Sequence, residues 1–153
     1  MQKQTHHSEQ DPKFRPRRGA VMIEMALVLP LFVTLMLGIV EFSQSMMVSQ
    51  LLTNAAREGG RRGGLPGSTN AEIADSVRGF LEQTTNVNPE SIIVKISIEA
   101  AEGNGDPDDQ VENATRRDEV SVRVEVPFVE LSYLTPLFLG DTVLVGESVM
   151  RRE

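Results

Sequence analysis

The chain has no cysteine, no tryptophan, one tyrosine and two histidines among its 153 residues. Without cysteine there is neither a disulfide framework nor a thiolate metal site. Whatever folds here must be held by its apolar core alone. His6 and His7 are adjacent and lie in a polar N-terminal stretch, away from any segment with a core pattern. Two neighbouring imidazoles with no third ligand do not close a metal site. Most hydrolase and metalloenzyme constellations need a positioned His or Cys, and none is offered. No nucleophile–base pair and no phosphate-cradling glycine loop after a strand is evident, so neither catalysis nor a cofactor is expected.

Charge is missing in one place in particular. From Met25 to Val40 the sequence reads MALVLPLFVTLMLGIV, and counted from Ala20 the apolar run is 21 residues long, broken only by Glu24. Roughly 20 apolar residues in a helix cross about 30 Å of hydrocarbon. A secretory signal has an apolar core of only about 7–15 residues, followed by a small-x-small cleavage site. Here Glu41-Phe42-Ser43-Gln44 follow instead. The run is expected to stay in the membrane as a single span. Pro30 and Gly38 are its predicted weak points, because proline removes a backbone donor. Glu24 is costly in lipid unless it lies near an interface or finds a positive partner.

The charges that are present are divided. Residues 1–19 carry five basic and two acidic side chains, a net of +3, while residues 41–153 carry ten basic and nineteen acidic, a net of −9. Basic residues before a span are retained on the cytoplasmic side, so the leader is expected inside and the acidic part exported. An acidic head repels a phosphate chain, so nucleic acid is not expected as its partner.

Residues 1–18 are polar, hold two prolines and bury nothing, so disorder is expected there. Beyond Val40, Phe42, Met46, Leu51 or Leu52 and Ala55 recur at helical spacing, with Gly59-Gly60 as a stop signal and RRGGLPGS as a loop or hinge. A second helix is predicted over 70–84, capped by Asn70, with Ile73, Val77, Phe80 and Leu81 as its core stripe. Two strands alternate cleanly: one through Ile92, Val94, Ile96 and Ile98, the other through Val120, Val122, Val124, Val126 and Phe128. A third strand is expected over 142–150, with Val143, Val145 and Val149 facing inward. Between the first two strands, Asn104, Asp106 and Asp108 have the alternate spacing of a calcium loop. Asp109 stands where that loop needs glycine and Thr115 where it needs a bidentate glutamate, so a solvated turn is expected and no metal.

The fold class that follows is α+β. A long N-terminal transmembrane helix continues into a small exported domain, in which a second helix packs on an antiparallel sheet of about three strands. The expected division is a leader over 1–18, the helix and its extension over 19–62, and the head over 63–153.

A basic leader, Gly19, an apolar helix and Glu24 at the fifth position after that glycine resemble type IV pilin-like precursors. More closely, RRGAVMIEMALVLPLFVTLMLGIVEF together with LLTNAAREGGRRGG resembles the TadE-like family of pseudopilins of the tight-adherence (Flp) pilus machinery. Met25 departs from the aromatic residue that commonly follows the glutamate in that family. The resemblance implies a single-pass inner-membrane protein that takes part in pilus assembly or secretion. A prepilin peptidase would cut between Gly19 and Ala20, and Glu24 would pair with the new N-terminus of a neighbouring subunit. The expected partners are therefore the lipid bilayer, other pilin-like subunits, pilus assembly proteins and the peptidase. The alternative is an uncleaved, signal-anchored acidic binding module.

Overall fold

A computed structural model of the chain describes residues 18–152, apart from Asn86 and Leu134. The expectations for the leader, including His6 and His7, lie outside these residues. The chain divides into two compact units, one up to Met36 and one from Leu37 onward. Helix α1 runs from Arg18 to Gly63 and passes through Pro30. Within the first unit every residue from Gly19 to Met36 is exposed, although almost all are apolar. A helix that is apolar all round normally lies in a core or a membrane. Among the described residues none of this stretch is buried, and the helix is long and apolar enough to cross a membrane by length and composition.

The second unit is the α+β head that the strand and helix patterns predict. Helix α2 spans Asn70–Thr85, and strands β1 (Ile93–Glu99), β2 (Glu119–Pro127) and β3 (Val143–Arg151) form one antiparallel sheet in the order β1-β2-β3. Val124 stands opposite Val94 on one side and Gly146 on the other. The inner face of β2, from Val120 through Val126 to Phe128, is fully buried. Against it pack Val48, Leu52, Ala55 and Ala56 of α1 and Ile73, Val77 and Leu81 of α2. The outer face carries an ion ladder, Lys95–Glu125–Arg123–Glu147, closed by contacts of 2.8 to 3.4 Å.

Four local expectations are corrected. Gly59 and Gly60 do not stop α1, which continues to Gly63. They are buried where the helix presses on its neighbours: a Cβ at Gly59 would lie 2.7 Å from Val77 Cγ2, and one at Gly63 3.0 Å from Val120 Cγ1. Glycine here gives close approach, not flexibility. Second, the buried stripe of α1 beyond the apolar run passes through Glu41, Val48, Leu52 and Ala55, and leaves Phe42 and Met46 exposed.

Third, β3 has the opposite parity to that expected. Leu144 and Gly146 face the core, whereas Val143 and Val149 are half-exposed on the outer face. The cause is Gly146, on which the backbone of Leu52 and Thr53 rests so closely that any Cβ would overlap it. Fourth, the cap of α2 is Thr69. Its Oγ1 accepts the Glu72 N–H, and the Glu72 carboxylate accepts the Thr69 N–H, each at 3.2 Å, which is a capping box. Asn70 instead donates from Nδ2 to the Asp109 carbonyl at 2.7 Å and accepts the Val111 N–H at 2.9 Å. Phe80 sits at the rim of the core stripe, partly exposed.

Candidate functional site

The first unit holds the residues singled out for processing and assembly. Gly19, Ala20 and Glu24 all lie within the opening turns of α1, and all three are exposed. Ala20 and Glu24 are four residues apart and therefore share one helix face. Among the described residues a Cβ at Gly19 would meet nothing within 4 Å, so no packing contact there calls for a glycine. Pro30 has no N–H to donate to the carbonyl of Ala26, four residues before it, while its own carbonyl accepts from Thr34 Oγ1 at 2.9 Å.

The second unit contains a site that no spacing in the sequence announces. Glu41 is buried, and its carboxylate accepts three consecutive backbone N–H groups. Leu137 donates at 3.1 Å, Phe138 at 3.0 and 3.2 Å, and Leu139 at 2.6 Å. One turn on, Gln44 Nε2 donates to the Leu131 carbonyl at 2.8 Å. One turn earlier, Gly38 makes room for the Phe138 ring, whose Cε2 would lie 3.3 Å from an added Cβ. So Gly38, Glu41 and Gln44, on one face of α1, clasp the loop that joins β2 to β3. Beside the clasp is an apolar cavity of about 270 Å³ lined by Leu37, Val40, Pro136 and Leu137. Gly38 thus has a packing role in addition to any effect on the helix. A carboxylate holding three N–H groups of one loop is a positioning device; no reacting atom or second titratable group faces it among the contacts described.

The loop between β1 and β2 is built around Asp118, which is fully buried. Its Oδ1 accepts the Ala101 N–H at 2.8 Å and the Asn104 side-chain amide at 2.6 Å, and its Oδ2 accepts both the N–H and the hydroxyl of Thr115. Burial alone would raise the pKa of this carboxyl, but these donors outweigh it and hold it at about 2, below its ordinary 3.8. Asn104 is thereby spent on Asp118 and on the Arg116 carbonyl. Asp106 accepts the Asp108 N–H at 3.0 Å in a local turn, and Asp108 and Asp109 both take a positive φ of 54°. The side chains of Asn104 and Asp106 therefore serve structural partners, and Asp108 is engaged through its backbone N–H. Among the described residues, no three His, Cys, Asp or Glu side chains converge. The loop is more than a solvated turn, because Val111 and Ala114 plug the core and Arg152 donates to the Val111 carbonyl.

The decisive comparison falls on α1. The model of the family described as TadE-like protein matches residues 19–61. This stretch is TadE-like. The TadE-like segment starts at Gly19, takes in Glu24 and Glu41, and ends two residues before α1 does. Helix α2 and the sheet lie outside it. No curated protein and no solved structure matches the chain. The fold of the head therefore rests on its own residues. A TadE-like segment on a helix of membrane-spanning length supports a membrane protein related to the Tad pilus.

Proposed function

We propose that this protein is a minor pseudopilin of the tight-adherence pilus system, structural and not catalytic, anchored by one span in the bacterial inner membrane. The leader faces the cytoplasm and the acidic head lies on the other side, in keeping with the basic residues that precede the span. A prepilin peptidase removes the leader between Gly19 and Ala20. The new ammonium at Ala20 then pairs with Glu24 of a neighbouring subunit, which offsets the cost of a carboxylate in lipid. What supports this reading is the coincidence of the TadE-like match with an apolar helix that begins at Arg18 and leaves Gly19, Ala20 and Glu24 uncovered. Its partners are other pilin-like subunits and the pilus assembly proteins, and its role is in pilus assembly or secretion.

Co-expression with a prepilin peptidase tests the proposal. The expected product begins at Ala20, and Gly19→Ala lowers the yield of that product. A chain that keeps Met1 in the presence of an active peptidase would instead identify an uncleaved anchor.

A further inference from the structure

The loop clasped by Glu41 is itself unusual. Leu131-Ser132-Tyr133-Leu134-Thr135-Pro136-Leu137-Phe138-Leu139-Gly140 carries no charge in a head that is otherwise rich in charge. It directs its largest apolar groups outward: Tyr133 is 88% exposed, Leu137 61% and Phe138 54%. An isolated apolar side chain at a surface needs no explanation, but three from one uncharged loop do. Its place in the fold supplies one. The Phe138 ring lies at Gly38 and the loop backbone is bonded to Glu41, so the loop is held at the level where the charge-free run of α1 ends at Val40.

We propose that this loop is a second membrane contact, in which Leu137, Phe138 and Tyr133 enter the boundary between headgroups and acyl chains on the head side of the bilayer. The proposal rests on the reading of α1 as a membrane span. The chemistry of the loop fits that layer. Amide groups entering lipid are costly when unpaired, and those of Leu137, Phe138 and Leu139 are already bonded to Glu41. A tyrosine with an apolar body and a polar tip suits the headgroup level. Phe42, just past the run on α1 itself, is also 55% exposed and lies within the same layer. The occupant of this surface is lipid because it adjoins the point where the span leaves lipid. Glu41 then has a definite task. It turns the loop's peptide dipoles inward and fixes the head against the membrane surface, where a single helix would leave it free to swing.

The chain has no tryptophan, so one introduced indole reports alone. Full-length Leu35→Trp, Phe138→Trp, Tyr133→Trp and Phe80→Trp are each reconstituted in phosphatidylcholine vesicles whose acyl chains carry bromine at graded depths. Phe80 lines a groove with Asn54 and Arg57, about 25 Å beyond Val40 along α1, and serves as the distant probe. The expected result is strong quenching of Leu35→Trp, loss of about half or more of the emission of Phe138→Trp from the shallowest bromines, as for groups buried roughly 5–10 Å, and none for Phe80→Trp. If Leu35→Trp is quenched while Phe138→Trp and Tyr133→Trp both keep their emission, the span stands and the loop contact is overturned. A blue-shifted but unquenched Phe138→Trp whose shift depends on protein concentration would assign the loop to a second copy, and also overturn it. An unquenched Leu35→Trp would remove the span, and the proposal with it.

Discussion

Gly146 shows how one residue sets the geometry of the head. Its missing side chain lets β3 touch the backbone of Leu52 and Thr53, and through that contact α1 lies on the sheet. A methyl group there meets backbone, which cannot move aside as a side-chain tip can. Gly146→Ala is therefore expected to lower stability by about 1–3 kcal/mol, the usual cost of overpacking. Gly79, in the interior of α2 with nothing near its Cα hydrogens, is the control; Gly79→Ala should add about 0.5–1 kcal/mol from helix propensity alone. Denaturant unfolding of both variants in the same detergent checks the contrast. Two changes of the same sign would contradict it.

Asp118 makes a second claim at this scale, on pH. Its carboxyl has a folded pKa of about 2 against an ordinary 3.8. Below the ordinary value the unfolded chain binds the proton more readily than the folded one, so stability falls as pH drops. The contribution is complete above about 3.8 and is lost progressively down to about 2. Asp118→Asn places an amide N–H₂ where an acceptor is needed by Thr115 or by Ala101 and Asn104. It should destabilise the head at neutral pH and flatten the acid limb of the stability curve. A variant with an unchanged acid limb would assign that limb to other groups, such as Glu125, whose pKa is lowered by its bonds to Lys95 and Arg123.

At the scale of elements, the clasp on the β2–β3 loop is the feature with the most direct test. Glu41→Gln keeps the size of the side chain but exchanges one acceptor for a donor and removes the charge. At least one of the three amides at Leu137, Phe138 and Leu139 then loses its bond. Hydrogen exchange of those amides is expected to accelerate by an order of magnitude or more, since about 1.4 kcal/mol corresponds to tenfold and bonds to charged groups contribute roughly 1.5–3 kcal/mol. Exchange along β2 should stay slow. Unchanged exchange at 137–139 would show that the loop is held by packing of Phe138 and Leu139 instead.

The elements also differ in how plainly the sequence foretold them. Strand β2 was legible because five apolar side chains alternate with polar ones and the sheet is covered on one side only, so periodicity and burial carry the same information. The capping box at Thr69 and Glu72 was present as T-x-x-E, one residue upstream of the cap inferred at Asn70. Strand β3 was misphased because its contact with α1 is made by a glycine, which leaves no apolar mark at the position that matters. The same physics concealed the end of α1: Gly59 and Gly63 read as breakers, but against Val77, Val120 and Val122 they are the only side chains small enough to fit. Glu41 gave no signal at all. Its partners are backbone N–H groups nearly a hundred residues away, and an N–H has no residue type.

For the molecule as a whole, the two compact units answer to different media. The head buries Leu52, Ile73, Leu81, the valines of β2 and Phe128, and it balances its outer face with ion pairs. The described residues of the first unit, 19–36, are all exposed, and apart from Glu24 their side chains are those that lipid accepts. In the proposed function, the net charge of +3 before the span and −9 after it sets the direction, leader inside and head outside.

That direction can be measured without a competing signal, because the chain has no cysteine. Glu102→Cys places one thiol at an exposed position on the β1–β2 loop. In spheroplasts expressing the full-length chain, a membrane-impermeant maleimide should label this thiol without lysis, and the labelled protein should stay in the membrane pellet after an alkaline wash. Labelling that appears only after lysis, or release of the protein by the wash, would contradict the account.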